Sequence, residues 1–268
     1  MALADRYDSF LFDIDGVLMR GDTAIPSAAT ALDALRRLAK GRAFITNNSG
    51  RTPEEVAARL TSVGLDADAA SVVTSALATA DVLGRDGVQN AFVIGERGVR
   101  DALADRHVDV LDGDPDRADV VVVGWDRTID YPKLRRACLL VERGARLVAT
   151  NADASFPAED GRWPGAGALL AAVTVTTGAT PEVIGKPHGA LFRLALERAG
   201  GGRPLVVGDR LDTDIEGAHD LGWDSLLVLT GISSDADAAA STGPPTYVAA
   251  DVSALADDVP RFEPAGRR

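Results

Sequence analysis

Carboxylates in pairs, a lysine set between a glycine and a proline, and a threonine followed by asparagines are the residues of this chain that can do chemistry together. The first pair lies in Phe10-Leu11-Phe12-Asp13-Ile14-Asp15-Gly16-Val17-Leu18. Its apolar run from Ser9 to Phe12 predicts a buried strand. Asp13 and Asp15 are two apart on an extended backbone, so both project to one side at its tip. Gly16 lets the chain turn away sharply. Taken alone, the stretch fits equally well an Asp-Gly turn closing an ordinary strand. Three further segments bear on the choice: Thr46-Asn47-Asn48, Gly185-Lys186-Pro187 and Gly208-Asp209-Arg210-Leu211-Asp212-Thr213-Asp214.

All four sit at predicted strand ends, and in an open parallel sheet ligands bind at the carboxyl ends of the strands. Gathered there, carboxylate oxygens are the ligands that a hard Mg²⁺ prefers, with phosphate oxygens and water in its other positions. A carboxylate can also attack phosphorus and split one difficult step into two. Lys186 can neutralise phosphoryl charge while Thr46 and Asn47 donate hydrogen bonds. Some members have simpler readings. Asp214 at a helix start also suits the helix dipole, Asp212 fits a helix cap, and Asn48 fits a turn.

The elements that must position these residues follow a βα rhythm, which predicts a parallel sheet with helices on its faces. After the first strand comes a helix over 28–38, a short strand over 43–45, and a helix opened by Thr52 and Pro53. From about Gly87 the rhythm restarts, with strands over 91–94, 120–123 and 146–149 and helices over 99–104, 131–141 and 166–177. The last third predicts a helix over 190–198, a strand over 204–207, a helix over 215–220 and a strand over 225–229. The expected division is residues 1–85 as the first part of a core, 86–181 as an inserted α/β unit, and 182–268 as the second part of the core.

With 268 residues, 46% of them hydrophobic, the chain can bury a sizeable core. A net charge of −12 opposes binding to nucleic acid or an anionic membrane. The single cysteine, Cys138, excludes an internal disulfide and suits a reducing compartment. No stretch has the length and apolarity of a signal peptide or a membrane span. The expectation is a soluble cytoplasmic protein.

The four segments, in this order, resemble the four motifs of the haloacid-dehalogenase superfamily of phosphatases. The Thr-Asn-Asn form is similar to that of the NagD-like (4-nitrophenylphosphatase) branch. That branch carries a large α/β cap between its second and third motifs, where the rhythm restarts here. The resemblance implies a Rossmann-like parallel-sheet core with an inserted cap, and the following roles. Asp13 is the nucleophile and a Mg²⁺ ligand. Asp15 carries the proton to and from the reacting oxygens, and its backbone carbonyl binds the metal. Thr46 and Asn47 hold the phosphoryl group, with Asn48 close by, and Lys186 stabilises its charge. Asp209 completes the metal site, and Asp214 holds a metal-bound water or stands behind the ligands without touching the metal.

In the cap, Asn151, Asp153, Trp163 and Gly165 resemble segments that reach over the active site. They also fit a solvent loop with a half-buried tryptophan. Met19 stands where relatives often have an aromatic residue, and Ala152 where a proline is common. Both departures bear on the pocket rather than on the chemistry. The implied activity is Mg²⁺-dependent hydrolysis of a small phosphate monoester, a sugar phosphate, glycerol 3-phosphate, phosphoglycolate or a nucleotide monophosphate, with a homodimer through the cap. The alternatives are a receiver-type phospho-accepting domain and a catalytically silent interaction protein. A receiver places its phosphorylated aspartate after the third strand, whereas here the acid pair ends the first.

Overall fold

The structure, a computed structural model, describes residues 1–158 and 160–263. The chain opens with β1 (Ser9–Asp13), a short hairpin of β2 (Met19–Arg20) and β3 (Thr23–Ala24), and α1 (Ala28–Arg37). Then come β4 (Gly41–Thr46), α2 (Pro53–Ser62), β5 (Val72–Thr74) and α3 (Ser75–Arg85). The middle of the chain forms β6 (Asn90–Ile94), α4 (Arg97–Asp105), β7 (Asp109–Leu111), β8 (Val120–Val123), α5 (Tyr131–Glu142) and β9 (Arg146–Ala149). A second hairpin, β10 (Ser155–Ala158) with β11 (Gly161–Pro164), precedes α6 (Ala166–Thr177) and β12 (Glu182–Val183). The last part is α7 (Gly189–Arg198), β13 (Pro204–Gly208), α8 (Glu216–Asp220), β14 (Asp224–Val228), α9 (Asp235–Ala240) and β15 (Tyr247–Ala249).

Two compact units result. The first comprises residues 1–46, 53–73 and 192–268; the second comprises 47–52 and 74–191. The second unit is wider than the 86–181 segment expected from the sequence. Helix α3 lies in it because nearly every side chain from Ser75 to Leu83 is buried, and α3 packs against α4. A helix buried on nearly every face needs cover on several sides.

The first unit holds a six-stranded sheet in the order β15-β14-β13-β1-β4-β5. Strand β1 runs parallel to both neighbours, with Phe12 opposite Val207 on one side and Phe44 on the other. All five residues of β1 and of β13 are buried, as expected of parallel strands covered on both faces. Phe10, Phe12 and Phe44 follow one another on one face, with ring centroids 6.3 Å apart at each step. Met19 is fully buried in the same core.

The second unit has its own parallel sheet, ordered β12-β9-β8-β6-β7. Its four-valine strand β8 is wholly buried at the centre. At the carboxyl end of β8, the buried Asp126 accepts hydrogen bonds from Lys133 Nζ and Thr128 Oγ1, each 2.8 Å. Burial works to raise this carboxyl, but those bonds outweigh it and hold it below the ordinary carboxylate range. Cys138 is a free, buried thiol on α5. Among the described residues, no helix is long and apolar enough to cross a membrane.

Candidate active site

In the first unit, the carboxyl ends of β1 and β13 lie side by side. Asp13 closes β1, and Asp209 follows β13 by one residue. Asp214 returns to the same place by way of a single π turn over Leu211–Ile215, a local widening of the helix often found at functional sites. One carboxylate oxygen from each of Asp13, Asp209 and Asp214 lies within 4.8 Å of the others, and all three residues are buried. Buried carboxylates this close need a counter-charge. Three hard oxygen donors converging on one point suit a Mg²⁺ ion, so the donor set fits the metal expected from the sequence. The structure brings Asp214 into the cluster on equal terms with Asp209.

The packing that holds Asp209 leaves no room for side chains around it. A Cβ on Gly231 would lie 1.9 Å from Asp209 Oδ2, and one on Gly16 would lie 2.5 Å from the same oxygen. Gly16 also has φ +89°, a conformation open to glycine at little cost. The N–H of Ile232 donates to Asp209 Oδ2 at 2.8 Å, fixing its orientation. Asp212, expected as a helix cap, instead lies within the π turn and is held by the guanidinium of Arg210 at 2.8 and 3.0 Å.

Asp15 stands apart from this cluster. Its side chain is half exposed and paired with Arg59 of α2 at 3.2 Å. The expected contribution of Asp15 to a metal was its backbone carbonyl, and its carboxylate is not among the three that converge. The loop that carries it is tied tightly. Gly16 N–H donates to Met19 O at 2.7 Å, and Thr230 Oγ1 donates to Gly16 O at 2.5 Å. Thr46, also in the first unit, is buried at the end of β4, one residue beyond Ile45, which pairs with Asp13.

In the second unit, Asn47 is a junction. Its Oδ1 accepts from the backbone N–H of Lys186 at 2.8 Å. Its Nδ2 donates to Lys186 O at 3.2 Å and to Asp153 Oδ2 at 2.9 Å. Its own carbonyl accepts from Asn151 Nδ2 and Ser75 Oγ, both 2.7 Å. The expectation was an amide facing a phosphoryl group. The side-chain amide bonds Lys186 and Asp153, and a side chain with two donors and one carbonyl is suited to joining loops in this way.

Asn48 Oδ1 accepts from Gly50 N–H at 3.0 Å, a turn-shaping bond. Asn151 is buried and its Oδ1 accepts from Asp153 N–H at 3.0 Å, so Asn151 and Asp153 join Asn47 and Lys186 in one network. Gly165 starts α6 where a Cβ would sit 2.2 Å from Asp153 O, so it presses on the same loop. Trp163 does not take part. It is exposed, donates to Asp160 at 2.7 Å, and lines a cavity of about 840 Å³ with Glu96, Arg100, Arg127 and Lys133.

Two features escaped the sequence. Arg59 carries no signal, since an arginine on the polar face of a helix reads as a solvated side chain, and 44 residues separate it from Asp15. The Gly231-Ile232 backbone that frames Asp209 had only one mark, a glycine just past the last predicted strand.

Comparison with known proteins agrees with this geometry. Residues 10–109 match a family model described as haloacid dehalogenase-like hydrolase, and residues 183–255 match a second, HAD-hydrolase-like one. An acid sugar phosphatase from Staphylococcus epidermidis is 38% identical over 245 residues, 90% of this chain and 94% of its own. The structure of a glycerol phosphate phosphatase from Mycobacterium tuberculosis in complex with magnesium is similar with a TM-score of 0.92. It is 37% identical, and the match covers 96% of this chain and 79% of that one. NagD from Escherichia coli K-12 is similar with a TM-score of 0.85 at 32% identity, covering 91% of this chain and 96% of NagD. The acid cluster at the strand ends and likeness over nearly the whole length agree: the chain belongs to the haloacid dehalogenase-like hydrolases, in their NagD-like phosphatase branch.

Proposed function

We propose that the chain hydrolyses a small phosphate monoester in two steps, with Asp13 as the nucleophile. The observation that carries this reading is the convergence of Asp13, Asp209 and Asp214 at the carboxyl ends of adjacent strands. An Asp13 carboxylate oxygen attacks phosphorus, the bond from phosphorus to the ester oxygen breaks, and an aspartyl-phosphate forms on Asp13. Asp15 gives its proton to the departing oxygen, which would otherwise leave as an alkoxide. In the second step the Asp15 carboxylate takes a proton from water as that water attacks phosphorus, releasing phosphate and restoring Asp13. Lys186 balances charge on the phosphoryl oxygens, and Thr46 donates to them. Asn47 acts through Lys186, whose backbone it fixes at two points. Asp13, Asp209 and Asp214 would hold Mg²⁺, which supplies positive charge against the phosphoryl oxygens when bound.

The second unit serves in this proposal as a cap that restricts the substrate to small phosphorylated metabolites, and as the face of a homodimer. A sugar phosphate or glycerol phosphate is favoured, because the relatives carry those substrates in their names. A lone cysteine supports a reducing, cytoplasmic setting. The test is phosphate release from a panel of metabolite monoesters with Mg²⁺ and with EDTA, beside the Asp13→Asn variant. Wild-type turnover by that variant, or turnover indifferent to EDTA, overturns the mechanism.

A further inference from the structure

The side chain of Arg59 makes an unusual set of contacts for a helix-surface arginine. Its Nη1 and Nη2 both meet Asp15 Oδ1 at 3.2 Å. Nη2 also donates to Gly21 O at 2.7 Å, and Nε to Asp22 Oδ1 at 3.4 Å. Gly21 and Asp22 are the tip of the β2–β3 hairpin, so one guanidinium joins Asp15, the hairpin tip and α2. Arg59 itself is mostly covered, with its side chain 22% exposed against 52% for Asp15. A planar fork held by three partners has little freedom left. Arg59 engages Asp15 through Oδ1 alone and leaves Oδ2 to other partners.

We propose that Arg59 is a positioning residue for the proton-transfer step. By gripping Oδ1 it turns Oδ2 toward the reacting oxygen, and by gripping Gly21 O it ties that orientation to the hairpin. The proposal rests on the reading of Asp15 as proton carrier. Arg59 touches neither phosphorus nor the leaving group in this account. Its loss therefore slows the reaction in proportion to how much the leaving oxygen needs a proton.

That proportion can be measured with phenyl, 4-nitrophenyl and 2,4-dinitrophenyl phosphate, whose leaving groups need a proton in decreasing order. The value kcat/KM reports the steps up to departure of the phenol. Arg59→Met is expected to lower kcat/KM for phenyl phosphate on the order of tenfold or more, within the range general acids contribute, while 2,4-dinitrophenyl phosphate changes less than about threefold. Arg59→Lys, which keeps the charge but not the fork, is expected to fall between. Asp15→Asn is the control and must show the same steepened dependence more strongly. If Asp15→Asn shows no such dependence, the reading of Asp15 fails and the proposal with it. If Asp15→Asn shows it but Arg59→Met slows all three substrates alike, or none, the proposal alone is overturned. Should Arg59→Met not fold, Arg59→Lys decides, and a wild-type dependence in that variant overturns the proposal.

Discussion

Asn47 grips the backbone of Lys186 from both sides, accepting from its N–H at 2.8 Å and donating to its carbonyl at 3.2 Å. The two residues are 139 apart in sequence, yet one amide replaces the ladder that a neighbouring strand would give. Asn47→Ala leaves a part-buried N–H and C=O without that partner, which is expected to destabilise the protein by about 1–3 kcal/mol in denaturant unfolding. The same variant is expected to reduce kcat more than it changes KM, because Lys186 loses its setting rather than its charge. An unchanged unfolding midpoint with full activity contradicts this role.

The three-acid cluster predicts a metal effect that can be read without turnover. Saturating Mg²⁺ is expected to raise the thermal midpoint of the wild type, since an ion bound only by the folded state at 100 times its Kd stabilises by about 2.7 kcal/mol. Asp209→Asn and Asp214→Asn are each expected to weaken Mg²⁺ binding at least about tenfold, or about 1.4 kcal/mol. Calorimetric titration checks it. If Asp214→Asn binds Mg²⁺ like the wild type, Asp214 is not a ligand.

Gly231 offers a different way into the same cluster. A methyl group there would meet Asp209 Oδ2 at 1.9 Å, so Gly231→Ala must move either the carboxylate or the loop. Overpacking of this kind costs roughly 1–3 kcal/mol. The expected outcome is a folded protein, by circular dichroism, that needs more Mg²⁺ for half-maximal activity. Normal Mg²⁺ dependence in this variant would show that the loop yields instead.

Acid stability should depend on Asp126. Burial raises this carboxyl, but bonds from Lys133 and Thr128 win and its folded value lies below the ordinary one. Such a group contributes stability above the unfolded value, near pH 4, and that contribution is lost as pH falls through the lower folded value. Wild type is therefore expected to lose more unfolding free energy than Asp126→Asn between about pH 4 and pH 2. Equal losses in the two proteins exclude Asp126 as a source of the acid sensitivity.

Much of this is legible in the sequence. The central strands β1, β8 and β13 read directly, because strands buried on both faces are unbroken apolar runs. Asp13 and Asp209 stood out at strand ends beside glycines, whereas Asp214, expected only to support the site, reaches the cluster through a π turn that the sequence does not mark. Less legible were β3, β7 and β11, short and largely exposed strands that lack an apolar pattern. Strand β15 was hidden in a tail rich in Ala, Asp, Gly and Pro, and of its three residues Tyr247 alone is buried. The work of Asn47 was illegible for another reason. A side-chain amide has no sequence mark that tells a ligand contact from a bond to a distant backbone.

The central place of β1 has a consequence for how the protein is made. Ser9 pairs with Pro204, so the strand that carries Asp13 is synthesised first and completed by a partner 195 residues later. At about 5–20 residues per second, the ribosome takes roughly 10–40 s to deliver that partner. Until then β1 has β4 on one flank only, and its other edge is an open template for pairing with another chain. Asp209 and Asp214 emerge with the same late segment, so a nascent chain cannot gather the acid cluster until most of it has been made.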